Sequence, residues 1–272
     1  MEVCDLHTHS YYSDGDASPT QVVRKAKKAG VKILALTDHN SVSGVKEAIA
    51  EGNKLGIRVI PGIELRSKEG EILGYFVDVN NKSFLNRIKE IQKRTKKVFM
   101  NAVLEFRKKG FSINLPDVLD MGLKRDNVLV TYLLKYLAVK SGWKIKDLKA
   151  IMKGGKFEPK FSAEEVVKII QKAGGVPVLA HPWYSHGFLE DSKIKKLVKA
   201  GLEGIEIDNG GRGEERSSLV IKKIEKFAEK YNLILTSGSD YHGDSIGMSN
   251  IHKIGKHNCD EKIVKKLGEA RE

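Results

Sequence analysis

The sequence predicts an α/β protein built around a barrel of strands, and three observations carry that expectation. Short apolar, β-branched runs (KILALT, RVIP, VPVLA, LILTS) alternate with segments of helical periodicity, the pattern of strand and helix repeats around a parallel sheet. Residues able to bind a metal recur where those runs end: His7 and His9 in DLHTH, His39 in LALTDHN, Glu64 in IPGIE, His181 in VLAHP, and Asp240 and His242 in TSGSDYH, with Asp14 in the loop SDGD. The rhythm breaks once, over residues 84–160, which read as helices alone. Parallel strands bring their C-terminal ends to one face, where such folds hold their chemistry, so these eight scattered residues are expected on one rim.

The first strand is EVCDLH, and since alternate strand residues face the same way, its HTH ending aims both imidazoles at one point. The polar loop THSYYSDGDAS leads to Ser18, which caps a helix with Pro19 at its first position and Gly30 past its end. KILALTDHN, a helix over about 43–55, RVIPGIE and EILGYFVDV bring the strand count to four. Then come FLNRIKEIQKRTKKVFMNAVLEFRKKG and NVLVTYLLKYLAVKSG, two helical stretches joined by turns at Pro116 and Gly122. FSAEEVVKIIQKAGG resumes the barrel, with Ser162 and Glu165 at capping-box spacing and two glycines ending the helix. VPVLAHP, GIEIDN and LILTSGSDYH supply the last strands, about seven in all, one short of an eightfold barrel. Residues 1–83 and 161–272 form the barrel, and 84–160 form a helical insertion covering the active site.

With 272 residues and 40% apolar content, the chain can bury one substantial core. No stretch of about 18 apolar residues could span a bilayer, and the N-terminus runs into a charged strand, so a cytoplasmic protein without a membrane partner is expected. No obligate protein partner is evident. Cys4 and Cys259 show no CxxC or paired spacing, so neither a disulfide framework nor a thiolate metal site is indicated and both read as ordinary thiols. The formal charge of +13 reads as a solvated lysine surface, since the lysines alternate with apolar positions and lack interleaved aromatics; steering of anionic substrates is a secondary effect.

Imidazole and carboxylate without thiolate suit Zn, Mn, Fe or Co. The ligands outnumber what one ion needs, so two or three divalent ions sharing a bridging carboxylate are expected, with Glu64 as the bridge. Paired ions lower the pKa of a bound water and clamp both oxygens of an in-line displacement at phosphorus, which favours phosphate ester hydrolysis. Taken singly the pieces are bland: an HxH pair is often structural, Asp14 alone a turn residue, Glu64 alone a helix cap. Their succession at strand ends gives them weight. Asp38 either orients an imidazole or caps the following turn. His186, His252 and His257 read as surface or turn histidines. Trp143, Trp183 and Tyr184 read first as packing residues, and the last two, beside His181, are also placed to stack on a base.

In this order the motifs HTH, TDH, GIE, AHP and GSDYH resemble the polymerase and histidinol phosphatase (PHP) family of metal-dependent phosphoesterases, over residues 1 to about 80 and 160 to 250. The resemblance implies a distorted seven-stranded β/α barrel with a trinuclear centre. It implies one ion at His7, His9, Glu64 and Asp240, a second at Asp14, His39 and His242, and a third that His181 shares with the bridging carboxylate. One position departs: Glu71 in EILGY stands where family members with a helical insertion usually carry a liganding histidine, which leaves two or three ions open.

The insertion resembles that of a subgroup which dephosphorylates nucleoside 3′,5′-bisphosphates and trims short RNA. Where that subgroup has a GRPHIA-like segment, this chain has MGLKRDNVLV, which keeps Arg125 without the proline and histidine. Arg125, Lys156 in KGGKFEP and Arg212 in DNGGRGEER are the candidate phosphate clamps, each more readily read as a solvated surface cation. The expected enzyme is a metal-dependent phosphoesterase that uses a metal-activated hydroxide on phosphate monoesters of nucleotide-like substrates. Glu64, His181, Asp240 and Arg125 are the candidates for catalysis. The alternatives are a phosphatase of the histidinol-phosphate type, an exonuclease on short oligonucleotides, and a non-enzymatic metal-binding module.

Overall fold

Seven strands form where the apolar runs place them: β1 (Val3–Thr8), β2 (Ile33–Leu36), β3 (Arg58–Arg66), β4 (Glu71–Tyr75), β5 (Val176–Leu179), β6 (Gly204–Asp208) and β7 (Ile234–Ser237). The structure, a computed structural model, describes residues 3–120, 130–152, 161–183, 189–208, 218–244, 252–257 and 259–271. An eighth strand, β8 (Cys259–Asp260), was not foreseen; it lies antiparallel to β1 and sets Cys259 opposite Cys4, both buried and not disulfide-bonded. The sheet runs β7-β6-β5-β4-β3-β2-β1-β8 and curls until β7 and the residues after it meet β1. Thr8 bridges Tyr241 in parallel, the His9 N–H donates to Tyr241 O at 2.8 Å, and the Ser239 N–H donates to Asp5 Oδ1 at 2.8 Å. Gly238 makes this seam possible, because a Cβ there would lie 2.4 Å from the backbone nitrogen of His7.

The strands are not all parallel, which corrects the expectation of a uniform parallel sheet. β4 runs antiparallel to both β3 and β5. Only residues 67–70 separate it from β3, too few for a crossover, so the two strands form a hairpin. The reversal places Arg66 opposite Glu71, so the start of β4 reaches the rim where β3 ends. A register shift in the β1–β2 ladder between Asp5 and Thr8 is the kind of bulge that re-aims side chains beside a site, and His7 lies within it.

Alternate strand residues explain the core. Leu6, Ala35, Leu73, Tyr75, Val176 and Val178 form one buried layer, closed by Val264 and Leu267 of α10 (Glu261–Glu269). The opposite parity packs under helices: Leu34 and Leu36 against α1 (Pro19–Lys28) and α2 (Val45–Leu55), and Ile63, Leu65 and Ile72 against α7 (Ala163–Lys172). Capping boxes at Ser18 with Gln21 and at Ser162 with Glu165 start α1 and α7. Helices α8 (Asp191–Ala200) and α9 (Ser218–Tyr231) complete the outer layer.

Helix α3 (Lys82–Lys108) joins two cores. Phe84, Ile88 and Ile91 pack with the barrel, whereas Phe99, Ala102, Val103 and Phe106 build a second cluster. That cluster draws on α4 (Leu115–Asp120), α5 (Val130–Ser141) and α6 (Ile145–Met152) through Val118, Leu133, Leu137 and Leu148. Pro116, expected in a turn, instead sits in the first turn of α4, where a missing N–H breaks no helical bond. Gly122 lies outside the described residues. Among the described residues no helix is long and apolar enough to cross a membrane.

Candidate metal centre

The eight residues, drawn from the ends of five strands and their loops, meet in one buried cluster. His7 Nε2 lies 3.4 Å from both Glu64 Oε2 and Asp240 Oδ1; His9 Nε2 lies 3.4 and 3.2 Å from the same two atoms. His39 Nδ1 stands 2.9 Å from Glu64 Oε2, and its Nε2 is 3.7 Å from Asp14 Oδ1, which is also 3.1 Å from His242 Nε2. On the other side His181 Nε2 is 2.9 Å from Glu64 Oε1. Glu64, fully buried, therefore touches four imidazoles, the position a shared carboxylate would need.

Four overlapping sets have their donor atoms within 4.8 Å of one another: His9, Asp14, His39 and His242; His7, Glu64 and His181; His7, His9 and Asp240; and His39, Glu64 and Glu71. His9 belongs to two sets, whereas the family pattern assigns it to one. Glu71 stands at the edge, 3.6 Å from His181 Nε2 and 3.8 Å from His39 Nδ1, with its Oε1 accepting from Arg66 at 2.9 Å. Arg66, a half-exposed cation at the rim, was not foreseen.

The donors fit divalent ions. His7 Nε2, His9 Nε2, Asp14 Oδ1 and Glu64 Oε2 are buried without a hydrogen bond, although they lie within 3.7 Å of ion-pair partners. An unsatisfied buried polar atom costs about 1–3 kcal/mol, so several at one point mark lone pairs converging on a shared centre. His181 and Asp240 also hold φ of 23° and 51°, left-handed backbone that non-glycine residues seldom adopt and that clusters at functional sites.

An outer ring fixes these side chains. Glu206, fully buried in β6, accepts from His7 Nδ1 at 3.0 Å with one oxygen and from the His181 backbone N–H at 2.8 Å with the other. With its Nδ1 proton held there, His7 presents the Nε2 lone pair to the cluster. His242 Nδ1 donates to Asp240 O at 2.8 Å, which turns its Nε2 toward Asp14. Asp38 accepts from Ser10 N–H, Ser10 Oγ and Ser13 Oγ at 2.6–2.7 Å, and Ser13 Oγ lies 3.4 Å from His9 Nδ1. Of its two readings, Asp38 takes the orienting one, acting through a serine. Asp5 ties β1 to the far loops through the N–H groups of Ser239 and Gly255.

The electrostatics follow from burial and proximity. Burial is the largest influence on His7 and pulls its pKa down, but Glu206, Asp240 and Glu64 outweigh it and leave the group well above its usual range. Likewise burial opposes charge on Asp14, yet His242 and His39 hold it well below the usual carboxylate range. His9, buried among His242 and His39, is lowered to about 4. The centre therefore keeps His9 neutral and its carboxylates ionised, the forms that ligate metal.

Several sequence expectations end differently. Arg125, Lys156, Arg212, Tyr184 and His186 lie outside the described residues. Trp183 is buried in the main hydrophobic cluster and takes the packing role. His252, read as a surface or turn histidine, is buried, with Nδ1 donating to Ser239 O at 2.9 Å beside Asp240. His257 pairs with Asp208 at 3.0 Å. The residue most clearly missed is Glu206. Its signal was present in GIEID, an acid in an otherwise apolar strand.

A mixed α/β barrel with a buried imidazole and carboxylate cluster on one rim defines a class first: proteins built to hold divalent ions for hydrolytic chemistry. Residues 5–175 match the PHP domain model, and the chain belongs to the PHP family. It is 30% identical over 268 residues to a 3′,5′-nucleoside bisphosphate phosphatase of Chromobacterium violaceum, covering 91% of this chain and 90% of that one. It is 27% identical over 254 residues to a phosphoribosyl 1,2-cyclic phosphate 1,2-diphosphodiesterase of Eggerthella lenta, covering 88% and 94%. A 5′-3′ exoribonuclease of Haemophilus influenzae is 27% identical over 252 residues, covering 88% and 89%. The fold matches that of an amidohydrolase from Chromobacterium violaceum with bound sulfate, at TM-score 0.80 and 24% identity over 98% of this chain and 96% of that one.

Proposed function

We propose that this metal-dependent phosphoesterase acts on nucleotide-like phosphate monoesters, with nucleoside 3′,5′-bisphosphates as its substrate class. His7, His9, Asp14, His39, Glu64, His181, Asp240 and His242 would hold two or three divalent ions, Mn, Zn or Fe, with Glu71 as a further ligand. The observation that carries the reading is the convergence of buried, hydrogen-bond-free nitrogen and oxygen atoms around Glu64. Divalent ions bound there supply Lewis-acid charge for phosphoryl oxygens and make a water acidic enough to attack at neutral pH.

The chain's own contribution is orientation and charge. Glu206 and Asp38 lock the imidazoles before substrate arrives, so little reorganisation is left for the reacting complex. Arg66 brings a fixed guanidinium to the rim, with Glu71 holding it in place. The helical segment 84–160 closes over the substrate, and Arg125, Lys156 and Arg212 are the cations to grip its second phosphate. The bisphosphate phosphatase among the relatives supports this choice, since 91% of this chain aligns with it.

The test combines metal analysis of the purified protein with phosphate release from adenosine 3′,5′-bisphosphate, mononucleotides, histidinol phosphate, a ribose cyclic phosphate and short RNA. The bisphosphate should be preferred and a chelator should abolish turnover. A protein that prefers histidinol phosphate would contradict the substrate class. One that releases phosphate from none of them would contradict the whole reading.

A further inference from the structure

We propose that Arg66 binds the phosphate group of the substrate at the metal centre: a guanidinium held by Glu71 beside the ion ligands, with donors left over for phosphoryl oxygens. It would make the centre select the dianionic end group of a phosphate monoester over the singly charged group of a diester. The proposal rests on the phosphoesterase reading above and names a residue that would touch its substrate.

The hairpin of β3 and β4 sets the guanidinium in place. Glu64 and Arg66 are two residues apart on β3, so their side chains leave the strand on the same side. Across the ladder Arg66 pairs with Glu71, and Glu64 with Leu73, which belongs to the inner layer of the barrel. Arg66 therefore stands beyond Glu64 at the rim. Its Nε and Nη2 both reach Glu71 Oε1 at 2.9 Å. That oxygen is 3.8 Å from His39 Nδ1, so an Arg66 nitrogen lies within about 7 Å of a ligand imidazole, a gap that one phosphoryl group bridges with an oxygen at either end.

The contact with Glu71 does not use up the guanidinium. Arginine has five N–H donors in a planar fork, and Glu71 engages at most two of them. The others have no partner among the described residues, and 47% of the Arg66 side chain is exposed against 16% for Glu71. The cation is thus anchored on its Glu71 side and keeps donors for a ligand that arrives from solvent. Two N–H groups of such a fork match two oxygens of a phosphate, which a lysine would meet only as a point charge.

Charge balance explains why a cation stands here. Glu71 takes the place of a histidine in the family pattern and so adds a negative charge to a rim that already holds Asp14, Glu64 and Asp240. An approaching phosphate dianion would be repelled at that edge. Arg66 cancels the added charge, and Glu71, with Asp14 and Glu64 further off, favours the charged guanidinium in return. A neutral imidazole and a pair of glutamate and arginine carry the same net charge, but only the pair brings a fork of donors to the rim. A diester has two of its oxygens esterified and a single negative charge, so it uses that fork less fully than a monoester does.

The experiment compares wild type with Arg66→Ala and Arg66→Lys, all loaded with manganese and checked for ion content by elemental analysis. Calorimetry measures the binding of inorganic phosphate, and kinetics give kcat and KM for adenosine 3′,5′-bisphosphate and for the diester bis(p-nitrophenyl) phosphate. Arg66→Ala should keep the wild-type ion content and bind phosphate on the order of tenfold more weakly, and its kcat/KM should fall on the order of tenfold further on the bisphosphate than on the diester. Arg66→Lys keeps the charge and the stem but not the fork, so it should recover only part of the phosphate affinity. Added guanidinium should likewise restore part of it to Arg66→Ala. Equal phosphate affinity in wild type and Arg66→Ala, including no binding by either, or an equal loss on both esters, would overturn the proposal. So would an ion lost from Arg66→Ala, because the arginine would then serve Glu71 alone. If no phosphate ester is hydrolysed, the phosphoesterase reading fails, and the phosphate titration still decides this one.

Discussion

In the barrel, acids and bases nearly cancel, and the groups that matter are buried and bound to one another within 4 Å; in residues 84–160, cations outnumber anions by 19 to seven, and the described ones lie mostly on the surface. The two regions share helix α3 and divide the work differently. Buried groups at short range act through geometry and are little screened by salt, whereas surface cations act at a distance and lose their reach within about 10 Å at 0.1 M salt. Mutations in one region should therefore change ion content and turnover, and those in the other should change substrate capture and its salt dependence.

The largest effect tests the barrel side. Asp240→Ala and His9→Ala each leave other buried ligands without a shared ion, so phosphate release should drop on the order of a thousandfold, several kcal/mol of barrier, with ion content falling in parallel. Full activity in either variant would break the site assignment.

On the insertion side, Phe106 is fully buried in the second core, and Phe106→Ala should cost about 3–5 kcal/mol in denaturant unfolding of that part. Elemental analysis should still find the wild-type ion content. Coupled loss of both would show that the two regions are one cooperative unit.

Glu206→Gln sharpens the barrel side further. It keeps shape but weakens the hold on His7 and His181, so ion affinity should fall about 10–100-fold with the fold intact by circular dichroism. An unchanged affinity would reduce Glu206 to a packing residue.

The smallest effect is protonic. Burial, the largest influence, pulls His39 and His181 down, but Glu64 together with other nearby carboxylates raises them to about 10 and about 9. In the ion-free protein both are protonated at neutral pH. Loading ions must expel about one to two protons, and affinity should rise with pH until these groups deprotonate. Calorimetric titration in two buffers of different ionisation enthalpy measures that release; none would mean the two imidazoles are not ligands.

What the sequence revealed and what it hid follow from range. His7, His39, Glu64, His181 and Asp240 sit at the ends of apolar runs, a local pattern, and a barrel gathers such ends on one rim whatever its details. The reversal of β4 was also local in origin: four residues after Arg66 cannot make a crossover. Glu206 was missed because its role exists only through His7, 199 positions away, and the backbone of His181, and an acid within GIEID differs from a surface strand residue only once those partners are placed. Likewise Ser10 and Ser13 read as turn residues until Asp38 folds onto them. Trp143, read as a packing residue, packs edge-on against Phe111 at 5.4 Å while half of it stays in solvent, a placement that depends on the loop after α3 folding back beside α5.

The most direct measurement of the central claim is anomalous diffraction from crystals grown with manganese. At least two ion peaks are expected about 2.0–2.3 Å from ligand atoms, one touching His7 Nε2, His9 Nε2 and Asp240 with Glu64 beside it, and one touching Asp14, His39 and His242. Peaks elsewhere in the molecule, or a cluster that closes on itself through hydrogen bonds and takes up no ion, would contradict it.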